Sequence, residues 1–176
     1  SSGNGSVKFA LDVTMTAGND STQVTTTANS YAGTVDTTAP SFTLVELSTN
    51  DATSTLVKEG DNITLHVTHS YTTRTPTIAM SIGGSSVSNS AISGSGTTYT
   101  TTYMVGSSDS GSVTFTLDAT DTAGNDATQL TTTTNSSAVT VDTTAPTFTL
   151  VPLSSNNATS TFAKEGDLIT INVTSS

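Results

Sequence analysis

Three acidic stretches of the chain carry the side chains that bind hard metal cations. They are the KEGD segment with Glu59 and Asp61, the ATDTAGND segment that contains Asp121, and the two VDTTAP segments that contain Asp36 and Asp142. Carboxylate and amide oxygens are the ligands that calcium takes in sets of six to eight. Calcium binding therefore depends on which of these groups the fold brings together.

Composition argues against several other kinds of chemistry. The absence of cysteine excludes disulfides, Cys-ligated zinc and a thiol nucleophile. Four Lys and Arg against fourteen Asp and Glu give a net charge of -10, which leaves no basic surface for nucleic-acid phosphates. Apolar runs are too short to span a bilayer. With no discernible nucleophile-base-acid pattern and no phosphate-binding glycine loop, we expect that the protein is not an enzyme.

An internal repeat organises the whole chain. Residues 1–70 align without a gap to residues 107–176, at an offset of 106, with 49 identities in 70 pairs. A period of this length is a domain that can bury its own core, and not a solenoid turn. The repeat predicts one complete domain at 37–142, the last strands of a preceding unit at 1–36 and the first strands of a following unit at 143–176. We expect such a chain to be a window of a longer array.

Apolar and polar residues alternate with period two, which predicts strands. Ile63, Leu65 and Val67 alternate with polar neighbours, and Val113, Phe115 and Leu117 do the same. The 42 Thr and 27 Ser suit the solvated strand faces and the turns. The pattern predicts strands near 42–47, 61–69, 77–82, 86–92, 97–105, 112–121 and 128–141, the last interrupted around 135–137. Seven short strands with little or no helix predict an immunoglobulin-like β-sandwich of Greek-key wiring.

This wiring places the acidic stretches at the two ends of the sandwich. Glu59 and Asp61 should lie with Asp142 at the end where the chain leaves the domain. At the end where Asp36 arrives, the wiring predicts Asp118, Asp121, Asn125 and Asp126. Each joint between domains would then collect oxygen ligands without a nearby cation, which predicts interdomain calcium. The alternative is that these residues cap turns, and Met15 at the position of Asp121 in the first copy shows that Asp121 is not needed at every joint.

The ATDTAGND turn, the VTVDTTAPTFT joint and the AKEGDLITINVT strand together resemble the bacterial Ig-like repeats of large surface adhesins and biofilm proteins. The resemblance covers essentially the whole chain. It implies an extracellular or cell-surface protein whose repeats act as spacers, often rigidified by calcium at the joints, with neighbouring repeats of the same chain as partners. Similar repeats build filaments and sheaths, so a filament subunit packed against identical chains is the alternative.

Further candidate sites have weaker support. N-x-Ser/Thr sequons would allow glycans in a eukaryotic source, although none recurs in the other copy; they lie at Asn4, Asn19, Asn62, Asn135, Asn157 and Asn172. His66 and His69 are expected at the surface and not as metal ligands. A carbohydrate-binding module is a minor alternative, because aromatic residues are sparse and Tyr99 and Tyr103 share one strand face.

Overall fold

The computed structural model describes residues 4–18, 21–27, 32–53 and 55–176. These residues form an all-β structure of several sheets, without a helix. The chain divides into two compact units, Ser1–Asp142 and Thr143–Ser176. The predicted further division at residue 36 stays a prediction. In the described part of the chain no helix is long and apolar enough to cross a membrane.

The strands are short and follow one another through turns. In chain order they are β1 Gly5–Ser6, β2 Thr34–Val35, β3 Phe42–Thr49, β4 Leu56–Val57, β5 Asn62–His69, β6 Thr77–Ile82, β7 Ser85–Val87, β8 Ser93–Ser95, β9 Thr98–Met104, β10 Ser110–Asp118, β11 Thr140–Asp142, β12 Phe148–Leu150, β13 Leu153–Ser155, β14 Ile169–Ile171 and β15 Thr174–Ser175. Thr and other β-branched residues fill many of these strands because they suit an extended, half-solvated backbone.

Two larger sheets form the centre of the first unit. One has four strands in the order β3-β5-β9-β8, and the other has five in the order β4-β11-β10-β6-β7. Neighbouring strands run antiparallel except β4 and β11, which pair in parallel with Val57 opposite Val141. The β4-β11 pair is adjacent in the sheet but distant in sequence, so it joins the first and last strand regions of residues 42–142.

The apolar faces of the two sheets meet in one core. Ile63, Leu65 and Val67 of β5 are fully buried, as the alternation predicts. They belong to the same hydrophobic cluster as Phe115 and Leu117 of β10, so the two sheets pack face to face. Burying one such side chain completely contributes about 1.5–3 kcal/mol. The core is therefore the main source of the domain's stability.

The hairpin between β6 and β7 has a two-residue glycine turn. Ile82 pairs with Ser85, and the intervening Gly83 and Gly84 have φ angles of 55° and 86°. Positive φ at both central positions suits the twist of a tight hairpin and favours glycine. A Cβ atom on Gly83 would collide with the carbonyl oxygen of Ser110 on neighbouring β10. The glycine pair thus allows the turn and the close approach of β10.

The strand predicted at 86–92 is wrong in its extent. Strand β7 ends at Val87, and the chain then crosses to the other sheet, where β8 begins at Ser93. The crossing segment is held by bonds to β9: the Ser90 N–H donates to the Thr102 carbonyl at 2.7 Å, and the Asn89 amide donates to Thr101 Oγ1 at 2.8 Å. These bonds replace a continued β6-β7 pairing.

The strand predicted at 128–141 is also much shorter in the structure. Leu130 makes an isolated bridge to Leu117, and regular pairing returns with β11 at Thr140. Between these points the chain lies along the edge of β3, where the Thr134 N–H donates to the Val45 carbonyl at 2.9 Å. The Ser137 hydroxyl accepts a bond from the Leu47 N–H at 2.8 Å. Hydroxyl side chains here take the place of a backbone ladder.

The terminal segments repeat the pairing of the central sheets. Gly5 pairs with Val35 as Gly111 pairs with Val141, and the Leu11-Val24 bridge matches the Leu117-Leu130 bridge. In the second unit, β13 and β14 keep the register of β3 and β5. Each pair is therefore displaced by the 106-residue offset of the sequence repeat. The described pairs of both segments therefore keep the registers of their counterparts, although their strands are shorter.

Candidate functional site

Asp121 lies at the centre of a tight turn at the end of the domain where the chain arrives. Its side chain is buried, with 3% of the residue exposed. Oδ1 accepts the backbone N–H groups of Gly124 at 2.7 Å and Asn125 at 2.8 Å, and Oδ2 accepts the Asn125 side-chain amide at 2.8 Å. The Asn125 amide and then the backbone N–H groups lower the pKa of Asp121 below its usual value. The ionised carboxylate therefore fixes the turn.

Asn125 connects this turn to the incoming chain. Its Nδ2 also donates to the backbone carbonyl oxygen of Asp36 at 3.2 Å. The carboxylate of Asp36 accepts the N–H of Thr38 at 3.0 Å, so it caps its own turn. The structure thus brings Asp36, Asp121 and Asn125 together, but through the amide of Asn125 and not through facing carboxylates.

Asp118 and Asp126 lie nearby, and each accepts hydrogen bonds from a different side chain. Both Asp118 oxygens lie 3.0 Å from Gln129 Nε2, which donates to them. Asp126 accepts the hydroxyl of Thr120 at 2.7 Å. Each predicted ligand at this end therefore has a hydrogen-bond partner from its own turn or hairpin.

The second predicted group lies at the opposite end of the domain. Because β4 and β11 are parallel, the turn after Val57 lies at the same end as Asp142, which ends β11 opposite Ser110. Glu59 is exposed on this turn. Asp61 Oδ2 accepts the Lys58 N–H at 2.9 Å and closes the turn.

Lys58 brings a positive charge to this end. Its ammonium group lies 3.0 Å from Asp51 Oδ2 and 3.3 Å from Asp61 Oδ2. The Thr53 N–H and then Lys58 lower the pKa of Asp51, while Asp51 and then Asp61 raise the pKa of Lys58. The Lys58 side chain is 68% exposed, so its ion pairs with the two carboxylates contribute little to stability. An ammonium group therefore lies at an end of the strands where the acidic sequence pattern predicts a site without a nearby cation.

Calcium therefore stays a prediction. Among the described residues no group of three or more His, Asp or Glu side chains is close enough to hold a metal ion. At the end that carries Asp121, carboxylate oxygens already accept hydrogen bonds from their own turns. A calcium ion there would share these oxygens with their hydrogen-bond donors.

The sequon residues have structural roles where the structure describes them. Asn4 Oδ1 accepts the Thr37 N–H at 2.8 Å, Asn135 Oδ1 accepts the Ser137 N–H at 3.1 Å, and Asn157 Nδ2 donates to Asp167 at 2.6 Å. The Asn157 amide and then the Lys164 N–H lower the pKa of Asp167. Asn62 begins β5 and Asn172 follows β14. Asn19 lies outside the described residues, and glycosylation stays a prediction.

His69 was wrongly expected at the surface. Only 3% of it is exposed, and its ring lies 5.1 Å from that of Phe42 and 5.7 Å from that of Tyr99. Nε2 has no hydrogen-bond partner, and Nδ1 lies 3.5 Å from Thr73 Oγ1. Burial lowers the pKa of His69. The sequence signal was present, because His69 continues the buried alternation of Ile63, Leu65 and Val67.

The two tyrosines on β9 are committed to internal hydrogen bonds. Tyr99 is buried, and its hydroxyl donates to the Thr73 carbonyl at 2.8 Å. The Tyr103 hydroxyl donates to Asp109 at 2.7 Å, and this bond raises the pKa of Tyr103. Asp109 also accepts the Gly106 N–H at 2.8 Å. Both hydroxyls therefore anchor turns of the domain.

Comparison of the chain with protein-family models, with curated proteins and with solved structures found no match. The resemblance to bacterial Ig-like repeats accordingly stays a prediction.

Proposed function

We propose that the chain is a tandem array of immunoglobulin-like β-sandwich repeats from an extracellular surface protein, and that the repeats act as a non-catalytic spacer. The observation that carries the proposal is the 106-residue repeat, which recurs in sequence and in strand register. Repeating one folded unit in tandem lengthens the molecule and does not add another chemical activity. On this proposal one complete repeat occupies residues 37–142.

The strand order supports the immunoglobulin-like wiring. If β3, β4, β5, β6, β7, β8, β9, β10 and β11 take the letters A, A′, B, C, C′, D, E, F and G, the four-stranded sheet reads ABED. The five-stranded sheet then reads A′GFCC′. These sets are those of the two sheets in immunoglobulin-type sandwiches. The parallel A′-G pair joins the first and last strand regions of the repeat.

Bonds between the first and last strand regions supply the mechanism of a spacer. Tension enters near Asp36 and leaves at Asp142, so it pulls β3 and β11 in opposite directions. Between them lie the bonds Thr134 N–H to Val45 O, Leu47 N–H to Ser137 Oγ and Thr140 N–H to Thr55 O, at 2.9, 2.8 and 2.9 Å. Loaded together along the strand axes, these bonds resist extension as a group.

The proposed extracellular location can be tested with antibodies raised against this chain. They should label intact, unpermeabilised cells of the producing organism, and label should lie away from the cell boundary. Label that appears only after permeabilisation would contradict the proposal.

Electron microscopy of the released protein distinguishes a spacer from a filament subunit. Single strings of beads support a spacer. Chains packed side by side would instead favour the filament subunit.

A further inference from the structure

A six-residue segment, 36–41, carries the chain from β2 into the central strands. Strand β2 ends at Val35 and β3 begins at Phe42. Residues 36–39 are exposed, whereas Pro40 is buried. Exposed connecting segments are usually mobile unless hydrogen bonds hold their backbone. The direction of the incoming strand pair therefore depends on what this segment contacts.

Asn4 holds the segment from the side of the preceding strands. Its Nδ2 donates to Thr38 Oγ1 at 2.6 Å, and its Oδ1 accepts the Thr37 N–H at 2.8 Å and the Thr37 hydroxyl at 3.1 Å. Asn4 comes directly before β1, whose Gly5 pairs with Val35 of β2. One amide side chain thus ties two consecutive linker residues to the strand pair that they follow.

The central strands hold the same segment from its other side. Asn125 Nδ2 donates to the Asp36 carbonyl oxygen at 3.2 Å and also to the buried Asp121 carboxylate at 2.8 Å. At the far end of the segment, the Ser41 N–H donates to Ser70 Oγ at 3.0 Å, and the Ser70 N–H donates to the Ser41 carbonyl oxygen at 2.9 Å. Both ends of the segment are therefore anchored to the central strands, and its middle is bonded to the preceding strand pair.

We propose that residues 36–41 form a fixed joint, in which the side-chain amides of Asn4 and Asn125 hold the incoming strand pair in one orientation by hydrogen bonds that need no cation. The inference rests on the proposed spacer function and deepens it, because a fixed joint limits bending between neighbouring repeats. Each bond is exposed and weak alone, so the joint depends on several bonds that act on consecutive residues.

The test measures the order of this joint by backbone amide NMR relaxation of the 176-residue chain in calcium chelator. The ratio of transverse to longitudinal relaxation rates at Gly5 and Val35 should equal that of the β5 amides, because a fixed joint makes both tumble together. Asn4→Ala should lower the ratio at Gly5 and Val35 and leave β5 unchanged. The same variant should speed hydrogen exchange of the Thr37 amide about fivefold, the effect of losing one typical intramolecular hydrogen bond. Asn125→Ala, which removes the other amide, should lower the same ratio.

Matched controls alter exposed side chains close to the two amides. Ser6→Ala on β1 and Thr122→Ala on the turn that contains Asn125 should leave the relaxation ratio as in the unaltered chain. Adding Thr38→Val to Asn4→Ala should loosen the joint no further, because both changes remove the same contact.

The proposal is overturned if the β1 and β2 amides of the unaltered chain already tumble faster than β5, or if either amide variant behaves like its control. Ordering of the joint that appears only when calcium is added would also overturn it, because a bound cation would then hold the joint. A mobile joint would still leave a chain of repeats that adds length. The spacer role therefore fails by other results, in the antibody labelling and electron microscopy.

Discussion

The side-chain amide of Asn125 bridges Asp121 Oδ2, at 2.8 Å, and the backbone carbonyl oxygen of Asp36, at 3.2 Å. Asp121 accepts the amide within the turn, and Asp36, which precedes Asn125 by 89 residues in the sequence, lies in the incoming segment. The turn is therefore tied to the incoming segment by a hydrogen bond from Asn125. The first copy has Met15 in place of Asp121, so the corresponding joint lacks the carboxylate.

Replacing Asn125 by Ala should destabilise the domain by about 1–2 kcal/mol, because it leaves one buried oxygen of Asp121 with fewer donors. Urea unfolding followed by circular dichroism measures the change. Thr122→Ala, which alters an exposed side chain on the same turn, is the control and should be within ±0.5 kcal/mol of the unaltered chain. Equal stability of the two variants would contradict a structural role for the bridge.

The two copies of one leucine offer a test of burial in matched sequence. Leu117 is fully buried and Leu11 is 58% exposed, although both follow the same Gly-Ser-Val start. Leu117→Ala should cost about 3 kcal/mol by loss of apolar burial and formation of a cavity. Leu11→Ala should leave the denaturant midpoint of a dilute sample almost unchanged. Similar losses in both variants would mean that the N-terminal segment has its own closed core.

The alternation of apolar residues was sufficient to predict β5, β6 and β10, because buried strands carry a strict period of two. It was insufficient for residues 128–141, where Thr134 and Ser137 bond to β3 through a backbone N–H and a hydroxyl. A Thr-rich segment can hydrogen-bond to a neighbouring strand either through a regular backbone ladder or through its side-chain hydroxyls. The period-two pattern of apolar residues does not distinguish these two arrangements.

The candidate site shows the same limit. Strand topology predicts Asp36, Asp121 and Asn125 at one end of the repeat, and the structure joins these three residues by hydrogen bonds. Sequence could not show that the carboxylate would face amides of its own turn, because this depends on side-chain orientation. Nor did it show that Lys58 would reach both Asp51 and Asp61. The net charge around a turn depends on which side chains lie close to it in the folded chain. Residue spacing alone does not specify these neighbours.

Acid should weaken the domain through His69. Its folded-state pKa is lowered by burial, so its contribution to stability is full above the unfolded pKa of about 6.5 and is lost as pH falls through the folded pKa. Unfolding free energy should therefore fall between pH 7 and pH 5, a range in which Asp121 stays ionised. His69→Gln should flatten this dependence. His66→Gln, on the outer face, should retain it, and an equal slope in both variants would assign the effect elsewhere.

Removing one bond of the mechanical group should lower resistance to force more than it lowers equilibrium stability. Ser137→Ala deletes the hydroxyl that accepts the Leu47 N–H at 2.8 Å. In single-molecule extension, unfolding of the 106-residue domain should release roughly 300 Å of chain, at about 3.3–3.6 Å per residue minus its folded length. The unfolding force should be lower in Ser137→Ala and unchanged in Thr132→Ala, whose side chain is exposed. Identical forces in the two variants would argue against loading of this bond.

Calcium binding at the joints is predicted from the sequence, whereas the structure shows the acidic side chains in hydrogen bonds within their own turns. The hypothesis expects a higher melting temperature in calcium than in chelator, because bound calcium stabilises the folded state by mass action. Asp36→Asn keeps a side-chain oxygen for the Thr38 N–H and removes one charge from the joint, so it should reduce the calcium-dependent rise. Glu46→Gln on β3 lies away from the joint and should leave the rise intact. A melting temperature that is the same in calcium and chelator would assign the acids to turn closure through donors such as Asn125 and Gln129.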